Sequence, residues 1–274
     1  MNPTTPDPWH TLRRHTAARI ALGRAGVSLP TTEWLRFAQA HALARDAVHL
    51  PFEVDALGAA LHRHAFEVIV SGSAAADRAT YLTRPDLGRR LPEGEAERLA
   101  ALPGGGTDVA LVVGDGLSAR GVHAHAVPLL VELRPRLEAA GFTLGAVVLA
   151  RQCRVALGDP IAQARGAQAV IVLLGERPGL SSPDSLGAYL TWQPRPGTPD
   201  SARNCVSNIR PPEGMAYAEA AHKIAWLLAA ARARGGTGVA LKDNSDREAI
   251  DGPAIVRGLS ATVSQVVQVR VDAP

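Results

Sequence analysis

The sequence is poor in cysteine. Only two of its 274 residues are cysteines, Cys153 and Cys205. Two are too few for a disulfide scaffold, and the CxxC spacing of a structural zinc site is absent. The first residues, MNPTTPDPWHTLRRHT, also lack the apolar core of a secretory signal. We therefore expect a cytoplasmic location, where thiols stay reduced.

Long apolar runs and blocks of like charge are also missing. No stretch approaches the roughly 18 apolar residues of a membrane-spanning helix. The net charge is +3, and no Lys/Arg block resembles a nucleic-acid-binding arm. Apolar residues make up 46% and charged residues 20% of the chain, as is typical of soluble globular proteins. Neither a membrane nor a nucleic acid is an expected partner.

The sequence changes character at the Pro-Gly-Gly-Gly segment 103–106. Before it, helical patterns dominate, with a helix start at Thr31 after Pro30 and an apolar stripe that includes Trp34 and Phe37. After it, short apolar strands alternate with helices. The predicted division is a disordered N-terminus over 1–8, a mostly helical lobe over 9–103, an α/β domain over 104–243 and a C-terminal extension over 244–274, whose end, VSQVVQVRVD, fits an edge strand or a loosely attached segment.

Continuous β-branched runs define the strands of the second part. They cover 109–113, 144–149 and 169–174, with a further candidate at 189–192 and a strong helix over about 216–233. Such runs, separated by helices, favour a parallel sheet that is covered on both faces. The predicted fold class is therefore α/β, with a Rossmann-like parallel sheet preceded by the helical lobe.

Ligands of such sheets bind at the carboxyl ends of the strands. Two polar, glycine-containing loops follow predicted strands there, at 114–120 and 175–185. Loop amides and helix N-termini can hold a nucleotide-like or polyamide ligand. The first loop lacks a full GxGxxG, so the indication of a dinucleotide is weak. Asp115 and Ser118 fit a structural turn and helix cap at least as well as a ligand contact.

The sequence predicts neither a metal site nor a catalytic residue. His123 and His125 stand two residues apart on a predicted helix, so their side chains face apart. Cys205 has no histidine beside it in sequence, and a lone cysteine is more often a small buried hydrophobe than a nucleophile. Arg84, Arg89 and Arg90 are expected to be ion-paired or to lie at a subunit interface.

A long segment at 175–228 carries a family resemblance. It reads GERPGLSSPDSLGAYLTWQPRPGTPDSARNCVSNIRPPEGMAYAEAAHKIAWLL and closely resembles the small (light) subunit of ethanolamine ammonia-lyase. Three further segments agree in the same order: 16–53, 81–91 and 108–130. The resemblance covers roughly residues 9 to 243, and chance similarity does not produce motifs of this length.

The resemblance implies a function. Members of this family, with a TIM-barrel large subunit, convert ethanolamine to acetaldehyde and ammonia by radical chemistry that starts from adenosylcobalamin (coenzyme B12). Three small-subunit positions contact the cofactor, here Val155, Glu176 and Cys205, while the substrate site lies mainly on the large subunit. The family's cofactor keeps its own base on cobalt, which agrees with the absence here of a DxHxxG motif.

The resemblance also implies an assembly of six large and six small chains. Some members carry an N-terminal extension linked to bacterial microcompartments. This chain lacks one, so a microcompartment is only a second expected location beside the open cytoplasm. Two other functions stay open: a stand-alone NAD(P)-binding oxidoreductase, against which the incomplete glycine motif counts, and a non-catalytic microcompartment assembly protein.

Overall fold

A six-stranded sheet organises the chain in the computed structural model, which describes residues 4–246. The strand order is β1-β3-β2-β4-β5-β6. The first four strands in this order run parallel, whereas β5 is antiparallel to β4 and β6 is antiparallel to β5. The strands are β1 (Val68–Gly72), β2 (Val109–Gly114), β3 (Leu144–Arg151), β4 (Ala169–Gly175), β5 (Leu186–Trp192) and β6 (Asn204–Ile209).

Seven α-helices surround the sheet in the described part of the chain. They are α1 (Thr31–His49), α2 (Val54–Arg63), α3 (Arg78–Thr83), α4 (Glu95–Ala101), α5 (Ala119–Ala139), α6 (Gly158–Ala164) and α7 (Tyr217–Arg234). Short 3-10 helices cover His10–His15, Leu87–Arg89, Val155–Leu157 and Asp200–Ala202. Among these residues no helix has both the length and the apolar character needed to cross a membrane.

Two apolar cores lie on opposite faces of the sheet, because successive strand residues point to opposite sides. On the first face, Val109, Leu111 and Val113 of β2 pack against α5, in a core that α2 and α7 also join. On the second face, Ala110 and Val112 pack against α6. β2 and β4 are buried at every position, which explains why their sequences are apolar throughout rather than alternating.

The α/β class and the three main predicted strands are confirmed, but the sheet is not parallel throughout. The predicted run 189–192 is the end of β5, which returns beside β4 as an antiparallel hairpin partner. β6 and β1 were not predicted. β1 is a short edge strand of five residues with an exposed position at Val70, so it lacks the continuous apolar pattern of β2 and β4.

The N-terminal part contains the predicted helix α1, which begins at Thr31 as expected. Its apolar stripe is not buried, however: Trp34 is 58% exposed, and among the residues of α1 only Ala47 is buried. β1 lies before the segment 103–106 and joins the sheet beside β3. The proposed division into a lobe and a domain stays a prediction, and the predicted edge strand in the tail lies outside the described residues.

Candidate functional site: a bare strip of the sheet

The loop after β2 is packed into the fold. Asp115 is 3% exposed; it accepts a hydrogen bond from the Cys153 amide at 2.9 Å and pairs with Arg78 at 3.2 Å. Ser118 caps α5 by accepting from the Gly121 amide. The Leu117 amide donates to the Gly175 carbonyl at 2.8 Å, so the two carboxyl-edge loops hold each other. Asp115 and Ser118 therefore form the structural turn and cap.

The loop after β4 presents Glu176 on the second face. Its Oε2 atom accepts hydrogen bonds from the Ser185 hydroxyl at 2.5 Å and the Asn208 amide at 3.1 Å. Asn208 has a φ of +58° and lies in the bulge at which β6 shifts register against β5, and its amide points to the carboxylate. Within residues 4–246, Oε1 of Glu176 has no hydrogen-bond partner. The carboxylate is thus held by one oxygen and free at the other.

Gly187 leaves room for that carboxylate. A Cβ atom built on Gly187 would lie 2.9 Å from Oε1 of Glu176 and 3.1 Å from Cε2 of Tyr189. Both distances are shorter than ordinary carbon contacts. A side chain at this position would push the carboxylate or the ring aside, so the glycine is needed for a close approach rather than for an unusual backbone angle.

Tyr189 and Cys205 continue the same face. Tyr189 is directly opposite both Val172 of β4 and Cys205 of β6, and opposite residues in neighbouring strands point to the same side. The Tyr189 ring packs on the edge of the second core, whereas Cys205 is exposed. Partial loss of water around the sulfur, and then the nearby Glu176 charge, raises the pKa of the Cys205 thiol to about 11.

The four residues Glu176, Gly187, Tyr189 and Cys205 form what we call the bare strip. On the first face, α7 packs against β5 and β6. On the second face, α6 packs against β2 and β4 and leaves Cys205 and Ser207 of β6 exposed. The result is a polar and aromatic surface at the carboxyl side of the sheet, on which Cys205 is exposed, Glu176 and Tyr189 are half-buried and Gly187 is buried.

Val155 lies on the same face of the sheet as the bare strip. It opens the 3-10 helix before α6 and, like Tyr189, packs partly buried against the second core. A buried ion pair joins this segment to β6: the Arg203 guanidinium donates to both oxygens of Asp159 in α6, at 2.7 and 2.6 Å. Arg203 also donates to the Thr191 hydroxyl of β5 at 2.7 Å. These hydrogen bonds connect the segment that carries Val155 to the start of β6, which carries Cys205.

Of the three residues predicted from the sequence, Glu176 and Cys205 are neighbours in the structure, and Val155 packs against the second core on the same face of the sheet. Tyr189 and Gly187 were not predicted, because their place beside these residues depends on the register of β5 against its neighbours. The other cysteine, Cys153, is fully buried. Arg84 and Arg90 both pair with Asp86, as expected. Among the described residues no three His, Cys, Asp or Glu side chains cluster as metal ligands would.

Comparison with known proteins gives the family. The sequence model described as "Ethanolamine ammonia-lyase light chain (EutC)" matches residues 6–242. The chain belongs to the ethanolamine ammonia-lyase light-chain family. This chain is 55% identical to the ethanolamine ammonia-lyase small subunit of Azotobacter vinelandii over 254 residues, which cover 92% of this chain and 94% of that one.

Two further relatives agree with this assignment. The ethanolamine ammonia-lyase small subunit of Ralstonia nicotianae is 54% identical over 88% of this chain and 90% of its own length. That of Pseudomonas aeruginosa is 51% identical over 90% and 92%. Membership in the ethanolamine ammonia-lyase light-chain family confirms the predicted resemblance and makes this chain a subunit of a lyase, which implies a large-subunit partner.

Proposed function

We propose that this small subunit binds adenosylcobalamin together with its large subunit, and that the complex converts ethanolamine to acetaldehyde and ammonia. The observation that carries the proposal is the Oε1 atom of Glu176, which has no hydrogen-bond partner within residues 4–246 and lies on the same face of the sheet as the exposed Cys205. A corrinoid is a flat ring with a rim of amide groups, and an ionised carboxylate accepts hydrogen bonds from amide N–H or ribose O–H groups.

The residues of the bare strip fit such a ligand. Glu176 is held in one orientation by Ser185 and Asn208, so its free oxygen is already directed before a ligand binds. Tyr189 offers aromatic surface, and Val155 offers an apolar contact on the same face. Cys205 adds a small polarisable group. None of these four side chains is proposed to take part in bond making or breaking.

When bound, adenosylcobalamin supplies the radical that starts the rearrangement. What this chain contributes is placement and exclusion of water. A surface that closes over one side of the cofactor shields reactive groups on the other side, where we place the substrate site of the TIM-barrel large subunit. The assembly of six large and six small chains, and a location in the cytoplasm or in a microcompartment, are part of the proposal.

The two alternative functions have less support. A nucleotide held between the loops after β2 and β4 would need space that the Leu117–Gly175 hydrogen bond and the buried Asp115 already fill. This counts against a stand-alone NAD(P)-binding oxidoreductase. For a non-catalytic assembly protein, no specific feature of the described residues speaks in its favour.

The test is a titration of the large–small complex with adenosylcobalamin, using the wild type and Glu176→Gln. Loss of a charged hydrogen bond costs about 1–3 kcal/mol, so the variant should bind roughly 5- to 150-fold more weakly. The rate of ammonia release at saturating cofactor should largely survive, because the substrate groups are on the other subunit.

Glu138→Gln is the matched control, since it removes one carboxylate from the last turn of α5, away from the bare strip. It should leave the cofactor affinity unchanged. Equal affinities of wild type and Glu176→Gln, with both folded, would remove Glu176 from the site. A wild-type complex that binds no cobalamin would overturn the proposed function as a whole.

A further inference from the structure

Exposed apolar side chains are concentrated in one segment of the chain. Ten of the thirteen large apolar side chains exposed in the described residues lie between positions 9 and 50, a segment that we call the arm. They are Trp9, Leu12, Ile20, Val27, Leu29, Trp34, Leu35, Phe37, Leu43 and Leu50. Scattered apolar residues are normal at protein surfaces, but a concentration of this kind marks an interaction site.

Among residues 4–246, little packing holds the arm. α1 has nineteen residues, but only Ala47 is buried. A helix of this length is marginal in water unless one face packs against something. Trp34 and Phe37 are 58% and 45% exposed, so the face that would normally provide this packing is turned outward.

The arm is attached beside the bare strip. The Arg19 guanidinium donates to the Leu180 carbonyl at 3.3 Å, in the loop that begins with Glu176. Arg78 donates to the Val48 carbonyl at 2.8 Å and to the Gly116 carbonyl at 2.8 Å, which ties the end of α1 to the loop after β2. A partner that covers the arm therefore also borders the loop that carries Glu176.

The charge of the arm indicates which kind of partner fits. The arm contains six arginines and two carboxylates, so it carries four positive charges, whereas the whole chain carries three. Arg24 and Arg45 have no ion-pair partner in residues 4–246. In a symmetric dimer of this chain, the same patch would face itself and bring these arginines together. A partner of different sequence, with an apolar and acidic face, fits better.

We propose that the arm is a docking element for the large subunit. The apolar side chains of the arm, Trp34 and Phe37 above all, would contact an acidic-rimmed apolar face of the large subunit, next to the cofactor edge. The choice of partner rests on the proposed function. The position of the arm beside the Glu176 loop points to the large subunit if that loop faces the large subunit across the cofactor.

The test compares the affinity of the small subunit for the large subunit in wild type and Trp34→Ala/Phe37→Ala. Exposed aromatic anchors are common hot spots of interfaces, so the variant should bind on the order of tenfold more weakly or worse. Its circular dichroism should be unchanged. Val239→Ala is the control, since Val239 is exposed but outside the arm, and it should bind as the wild type does.

A second variant tests the charge. Arg24→Gln/Arg45→Gln should weaken the complex at low salt and reduce its dependence on salt concentration. Unchanged affinity in both arm variants overturns the inference, and so does reduced self-association of the isolated chain with unchanged affinity for the large subunit. If one of these two results is found and the wild-type complex nevertheless binds cobalamin, the docking inference fails and the proposed function is retained. If the arm variants weaken a complex that binds no cobalamin, the proposed function fails alone.

Discussion

The pKa of the Cys205 thiol depends on the charge of Glu176. This pKa is raised to about 11, first by loss of water around the sulfur and then by the Glu176 carboxylate. Because the thiolate is the reactive form, the rate of alkylation should keep rising about tenfold per pH unit up to pH 10. An ordinary thiol, with a pKa of about 8.5, would level off near pH 9.

Glu176→Gln should speed this alkylation at pH 8, because removing the negative charge lowers the pKa of Cys205. The measurement is mass spectrometry of the isolated chain after timed treatment with iodoacetamide, and buried Cys153 should stay unmodified in the folded protein. Glu138→Gln serves again as the control. A rate that levels off near pH 9, or one that ignores Glu176→Gln, would mean that the two side chains are not neighbours.

Glu176 and Cys205 could be predicted from the sequence because the resemblance to the ethanolamine ammonia-lyase small subunit implies a role for both positions. Glu176 also directly follows a strongly patterned strand. Tyr189 and Gly187 could not, because a strand's side chains gain neighbours only through its register. The pairing of Tyr189 with Cys205 joins residues sixteen positions apart through the turn between β5 and β6. Nothing local in either segment specifies that pairing.

At the scale of elements, the Arg203–Asp159 pair holds α6 to β5 and β6. Both side chains are almost completely buried, at 3% and 0% exposure. Breaking a buried pair leaves a charge without a partner, so Arg203→Met should lower the free energy of unfolding by about 3–5 kcal/mol. Urea denaturation followed by tryptophan fluorescence measures this.

The double variant Asp159→Leu/Arg203→Met should recover much of that loss, because it leaves no buried charge. Arg84→Met removes one member of the exposed Arg84–Asp86 pair and should change the stability far less. Equal effects of the buried and the exposed substitution would contradict the importance of the buried network.

Elements with a strong pattern were predictable from the sequence. β2 and β4 are buried on both faces and so are apolar throughout, and α5 and α7 are long helices with many buried residues. β6 was missed because its burial alternates irregularly around a bulge. α1 was predicted as a helix with an apolar stripe, and the structure leaves Trp34 and Phe37 of that stripe exposed.

At the scale of the whole molecule, stability should be distributed unevenly. β2 and β4 lie in the middle of the sheet with both faces covered, whereas α1 buries a single residue. Backbone amides open locally where few apolar contacts hold them. In hydrogen exchange of the isolated chain, α1 should therefore exchange orders of magnitude faster than β2 and β4.

Addition of the large subunit should slow exchange in α1 and leave β2 and β4 as they were. Segment-resolved mass spectrometry of the isolated chain and of the complex gives both values, with β4 as the internal reference. Protection of α1 equal to that of β2 in the isolated chain would show that the helix is stable by itself.

The reversal of strand direction after β4 decides what the second face looks like. Two parallel neighbours need a long crossover, usually a helix that lies over the sheet, whereas antiparallel neighbours need only a turn. Had β5 and β6 continued parallel, their crossovers would have needed helices on the sheet, and one on the second face would have roofed over Glu176, Tyr189 and Cys205. Because β5 and β6 each return antiparallel, no crossover helix from residues 4–246 covers that side of the sheet. A second molecule can therefore bind there and cover it.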